Sequence, residues 1–110
     1  FLPAVLRGST RKMIAITSRL GSIAANDEGG LYAYRSSKAA LNAVWRAFSF
    51  DHSEIIATVL HPGWVRTDMG GPGAAIAPDE SVTGMRKVIA GLSPKDRGAF
   101  YNYDGSPIPY

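Results

Sequence analysis

The chain has 110 residues, of which 45% are hydrophobic and 19% charged, the composition of one globular domain. It contains no cysteine, which excludes disulfides and thiolate metal sites. The net charge of +3 is spread thinly, with Arg7, Arg11 and Lys12 the tightest group, so a nucleic-acid partner is not expected; nor is a membrane, because no apolar run approaches the ~20 residues of a span.

Residues 1–7 read as the end of an apolar helix and residues 8–11 as a polar break. The sequence opens on Phe1 rather than methionine, and the expectation is a chain cut from something longer. Lys12–Thr17 is β-branched and almost continuously apolar, the pattern of a strand buried on both faces. Residues 18–30, with Gly21, Asn26, Asp27, Gly29 and Gly30, read as a loop. Leu31 to Phe50 holds no Pro or Gly and is rich in Ala, Leu and Lys, which predicts a helix. Its Tyr34, Lys38, Leu41, Trp45 and Phe48 share one face, and Ala39, Ala40, Ala43 and Ala47 allow close approach on the others. Ile55–His61 is a second buried strand, ended by Pro62-Gly63. Residues 68–78 are a Gly/Pro/Ala loop. Asp79 is placed to cap a helix that runs to Leu92, with Glu80 in its first turn. Ala99–Tyr103 reads as a short third strand before an Asp104-Gly105 turn. Alternating strands and helices predict an α/β fold with a parallel sheet.

Three segments carry chemistry. Tyr34 and Lys38 are four apart, hence on one helix face. A free tyrosine titrates near pH 10, and a neighbouring ammonium favours its charged phenolate form. That makes the pair a candidate proton donor, although a Tyr-x-x-x-Lys spacing alone is a weak motif. Ser18 lies at the carboxyl end of the first strand, where reactive groups of open α/β sheets collect. Ser22 competes with it from four residues further on. His61-Pro62-Gly63-Trp64-Val65-Arg66-Thr67-Asp68 follows the second strand and offers backbone donors and acceptors for a flat amide. Trp45 and Trp64 read as core and turn packing, and no His/Asp/Glu cluster has metal-ligand spacing.

Thr17-Ser18-x-x-Gly21-Ser22, then Tyr32-Ala33-Tyr34-Arg35-Ser36-Ser37-Lys38-Ala39-Ala40-Leu41-Asn42, then His61 to Gly70 resemble the short-chain dehydrogenase/reductase family. The Asn102-Tyr103-Asp104-Gly105 tail and the Asn26-Asp27 loop are similar to its sniffer-like and C-factor-like carbonyl reductases. The resemblance implies a Rossmann-like sheet of which only the C-terminal half, family strands 5, 6 and 7, lies in residues 1–110. It implies Ser18, Tyr34 and Lys38 as catalytic residues. It implies that Tyr34, Lys38, Pro62, Gly63, Val65 and Thr67 meet an NAD(P) cofactor, with NADP favoured, Lys38 on the ribose and Val65 and Thr67 on the carboxamide. Met69–Ala77 would cover a small carbonyl substrate. A cytoplasmic location is the expectation, compatible with the absence of cysteine.

The family's glycine-rich dinucleotide fingerprint is absent, and Gly70-Gly71-Pro72-Gly73 is no substitute, because it follows a turn and holds a proline where a donor is wanted. Three arrangements follow. The chain is one part of a longer protein, it pairs with a second chain (a homo-oligomer or the missing N-terminal half), or it folds alone and holds no dinucleotide tightly. Two further functions compete with carbonyl reduction. One is cofactor-free, esterase-like hydrolysis by Ser18 or Ser22 with Tyr34 and Lys38 as the base. The other is a non-catalytic fragment that docks on a partner chain.

Overall fold

Lys12–Ile16 (β1), Ile56–His61 (β2) and Phe100–Asn102 (β3) form a parallel sheet in that order, in a computed structural model that describes residues 1–110. Ala15 pairs with Val59, and Val59 with Phe100, so the three lie abreast on one face. On that face Val59, Phe100 and Ile108 form the core cluster, with Ala15, Trp45 and Tyr110 packed against it.

Tyr32–Asp51 (α2) supplies Trp45, and Pro78–Gly91 (α3) connects β2 to β3. The opposite face of the sheet meets the end of α3, where Lys12 Nζ donates to the Ile89 carbonyl at 2.7 Å. A short helix, Leu2–Arg7 (α1), precedes β1 and buries none of its residues. Arg19–Gly21 and Pro94–Asp96 are single 3₁₀ turns.

The predicted alternation is present, with four differences. β1 is only half-buried, and Ile16 is 48% exposed. The reason is its place at the sheet edge: β2, between two neighbours, is buried from Ala57 to Leu60. Asp79 does not cap α3; Ala77 is the N-cap and Pro78 the first helical residue, a position where proline's missing N–H costs nothing. Within residues 18–30, Arg19–Gly21 is helical. The third strand is shorter than Ala99–Tyr103, because the chain turns back after Asn102 and the Ser106 carbonyl accepts the Asn102 N–H.

That return fastens the tail. The Ile108 N–H donates to the Phe100 carbonyl, and the Ala24 N–H to the Tyr110 carbonyl. The Ser22 hydroxyl donates to the Pro109 carbonyl, and the Tyr110 phenol to the Gly98 carbonyl. Arg46 of α2 lies over the Tyr110 ring, 4.8 Å from its centroid, and donates to the same Gly98 carbonyl at 2.9 Å.

Candidate active site

In a parallel sheet all strands end at the same rim, so the segments after β1 and β2 leave the fold side by side. Ser18 follows β1 and caps the Arg19–Gly21 turn. Its Oγ accepts the Leu20 N–H at 3.1 Å and its carbonyl the Gly21 N–H at 2.9 Å, which fixes the side chain in one orientation. Tyr34 stands in the first turn of α2, after Gly29, Gly30 and Leu31, which take φ of 75°, 71° and 51°. These left-handed residues turn the chain sharply into the helix.

Ser18, Tyr34, Pro62, Gly63, Val65 and Thr67 all line one open cleft of about 720 Å³. Lys38 is not on its wall. Its ammonium lies 5.8 Å from the centre of the Tyr34 ring, one helical turn behind it. Ser22 is set aside by its bonds: it is 2% exposed, donates to Pro109 and accepts the Ala25 N–H at 3.0 Å. A second cleft, of about 520 Å³ beside α3 and Tyr103, contains none of the predicted residues.

The loop after β2 is braced from behind. Arg66 N–H donates to the Ile76 carbonyl at 2.9 Å and Ile76 N–H to the Trp64 carbonyl at 3.2 Å, a one-residue parallel bridge between Val65 and Ile76. In that pattern the N–H and C=O of Val65 itself turn away from Ile76. The Val65 N–H has no hydrogen-bond partner, its carbonyl accepts the Thr67 N–H at 2.9 Å, and Thr67 Oγ1 accepts the Gly70 N–H at 3.1 Å. A primary carboxamide needs one donor and acceptors in one plane. The free Val65 N–H, with the Val65 carbonyl and the Thr67 hydroxyl, fits that need. Gly63 takes φ 87°, a left-handed conformation that favours glycine at this turn. Ser81, at 2% exposure, donates to the Pro62 carbonyl at 2.5 Å and ties α3 to the same loop.

The cleft holds further residues beside the predicted catalytic and cofactor-binding ones. His61 lines the wall, and its Nδ1 is buried without a partner. Burial, reinforced by the charge of Arg19, lowers its pKa from 6.5 to about 4, so the ring is neutral at neutral pH. Its position as the last residue of β2 was the available signal. Trp64, read from sequence as turn packing, is 60% exposed on the cleft wall while its Nε1 donates to the Gly70 carbonyl at 3.0 Å. Met69, the first residue of the expected covering loop, also lines the cleft. So do Val82 and Met85, which are three apart on α3 and share a face that only the folded chain turns inward.

No family model matches the chain. C-signal of Myxococcus xanthus is 49% identical over 111 residues, which cover 99% of this chain and 67% of C-signal. The carbonyl reductase Sniffer of D. melanogaster superposes with a TM-score of 0.87 at 44% identity, over 90% of this chain and 41% of Sniffer. The NADPH-bound carbonyl reductase from chicken fatty liver gives 0.90 at 40% identity, over 100% of this chain and 50% of that one. The chain therefore spans half, or less than half, of these two reductases. Its α/β sheet corresponds to part of their Rossmann-type fold. With likeness running the whole length of the chain, and the serine, Tyr-x-x-x-Lys and Pro-Gly segments meeting at one rim, this chain belongs to the short-chain dehydrogenase/reductase family.

Proposed function

We propose that this cleft serves the reduction of a ketone or aldehyde carbonyl by NAD(P)H, with Ser18, Tyr34 and Lys38 handling the proton. The observation that carries the reading is the convergence of Ser18 and Tyr34 on one cleft with the Lys38 ammonium behind the tyrosine ring. The nicotinamide, when bound, supplies the hydride. Val65 and Thr67 hold its carboxamide, Pro62 and Gly63 shape the loop that does so, and Lys38 reaches the ribose hydroxyls. The Tyr34 phenol passes its proton to the carbonyl oxygen, and the Lys38 charge stabilises the phenolate left behind. Ser18 Oγ already accepts the Leu20 N–H, which leaves its hydroxyl hydrogen free to donate to the same oxygen.

NADP is the favoured cofactor. The chicken reductase was crystallised with NADPH and a Burkholderia multivorans relative with NADP, which supports the choice. No Asp, Glu, Lys or Arg lines the cleft, and Leu20, Leu31, Trp64, Val82 and Met85 do, which supports an uncharged substrate. Ser18 makes no hydrogen bond to a side-chain base, so nothing in the geometry favours cofactor-free hydrolysis. The test is NADPH oxidation by the full protein with a panel of neutral ketones and aldehydes. Tyr34→Phe is expected to lower kcat by about 100-fold or more; turnover equal to the parent's would sink the assignment.

A further inference from the structure

Thr17, on the cleft wall, and Asn42, behind it, join the two halves of this cleft. Thr17 is 3% exposed and Asn42 2% exposed, and the Thr17 hydroxyl donates to Asn42 Oδ1 at 2.6 Å. Thr17 is the neighbour of Ser18 in the chain. Asn42 stands one helical turn beyond Lys38 and two beyond Tyr34, on the same stripe of α2. The bond thus connects the carrier of Ser18 to the carrier of Tyr34 and Lys38.

Two observations say that this bond does more than fill space. The Asn42 Nδ2 is buried and donates to nothing. A buried donor left unpaired destabilises a fold, so an apolar side chain of this volume would serve a purely structural purpose better. Beside it, Gly21 ends the turn that Ser18 caps, and any Cβ there would stand 2.8 Å from the Lys38 carbonyl carbon and 2.9 Å from Asn42 Nδ2. The serine turn and the lysine turn of α2 are therefore held backbone to backbone, with the Thr17–Asn42 bond as the polar fastening.

We infer that Asn42 is a positioning residue of the reductase site: bonded to Thr17, it fixes Ser18 relative to Tyr34 and Lys38 from behind the cleft wall. The inference rests on the reductase reading for its effect on turnover and on geometry alone for its effect on the Ser18 turn. A misplacement of about 1 Å at a reacting group costs on the order of 100-fold in rate. An effect on orientation falls on kcat rather than KM.

Thr17→Val keeps the shape and deletes only the hydroxyl, so it is the primary variant. Thr17→Ser retains the hydroxyl and is the rescue. Two measurements decide. The first is amide exchange at Leu20, Gly21 and Ser22, whose N–H groups donate to Ser18 Oγ, the Ser18 carbonyl and the Arg19 carbonyl. Thr17→Val is expected to speed exchange there by about tenfold while β2 amides hold their rates, and Thr17→Ser to restore it. The second is turnover with NADPH and a neutral ketone. Here kcat is expected to fall by about 30- to 100-fold in Thr17→Val, with KM for both reactants and the pH profile unchanged. Exchange at parental rates overturns the inference, and so does fast exchange with unchanged kcat in an enzyme that Tyr34→Phe silences. If Tyr34→Phe keeps full turnover, the reductase reading fails instead and the exchange measurement alone decides the brace.

Discussion

His61 sits on the cleft wall with its ring kept neutral by burial and by Arg19, its pKa lowered from 6.5 to about 4. The unfolded chain takes up this proton near pH 6.5, and the folded chain only near pH 4. Between these values the unfolded state binds more protons, so His61 makes the fold progressively less stable as pH falls through that window, with the full loss reached below it. Asp96, held low by the Ser93 and Tyr101 hydrogen bonds against its own burial, loses stability in the same direction at lower pH as it protonates. Replacing the imidazole separates the two effects. His61→Asn should flatten the fall in urea midpoint between pH 7 and pH 4.5; identical pH profiles would refute the role given to burial. Gly21 makes a second prediction at this scale. With the Lys38 carbonyl carbon 2.8 Å from where a Cβ would stand, Gly21→Ala must push the serine turn off α2. The expected cost is about 1–3 kcal/mol in urea unfolding.

At the scale of elements, the C-terminal tail acts as a strap rather than a frayed end. It runs back along β3, buries Ile108 at 4% exposure in the core cluster, and takes hydrogen bonds from Ser22 and Ala24. Both of those residues belong to the segment that leads from Ser18 toward α2. Deleting residues 108–110 removes a fully packed apolar side chain and the strap together. The expected loss is about 3 kcal/mol or more, read as a lower thermal midpoint, with faster proteolysis inside residues 18–30 than elsewhere. A truncated chain with the parental midpoint would contradict a strapping role.

For the whole molecule the numbers describe an incompletely covered fold. The accessible surface is 6752 Å², against about 5,900 Å² for a compact monomer of this mass. The radius of gyration is 14.3 Å, against about 13 Å for a compact chain of this length. One edge of the sheet is open. Ile56 N–H bonds to the Arg11 carbonyl and Thr17 N–H to the Leu60 carbonyl, a register that turns the backbone groups of Lys12, Ile14 and Ile16 outward from the sheet. An open strand edge beside apolar side chains promotes association. Sedimentation velocity should show mass rising with protein concentration, and Ile16→Lys should suppress that rise; a strictly monomeric parent would disprove it.

This edge also marks what a sequence can and cannot reveal. α2 and β2 were legible to within a residue or so, because helix composition and a central strand's apolar run are local properties. β1 read as buried on both sides because its residues record an apolar environment without naming the neighbour that supplies it. Ser18 and Tyr34 were legible through spacing and strand ends, and Val65 only through resemblance to a family. Val82 and Met85 join them only through packing, and the Thr17–Asn42 bond links positions twenty-five apart that no periodicity connects.

The strap has a practical corollary for handling this protein. Tyr110 is wedged between Gly98, Arg46 and the Ala24 amide. A bulky label attached to the Tyr110 side chain would break the joint that steadies the serine segment, whereas the same label on an exposed side chain such as Ile23 or Val44 would leave that joint alone.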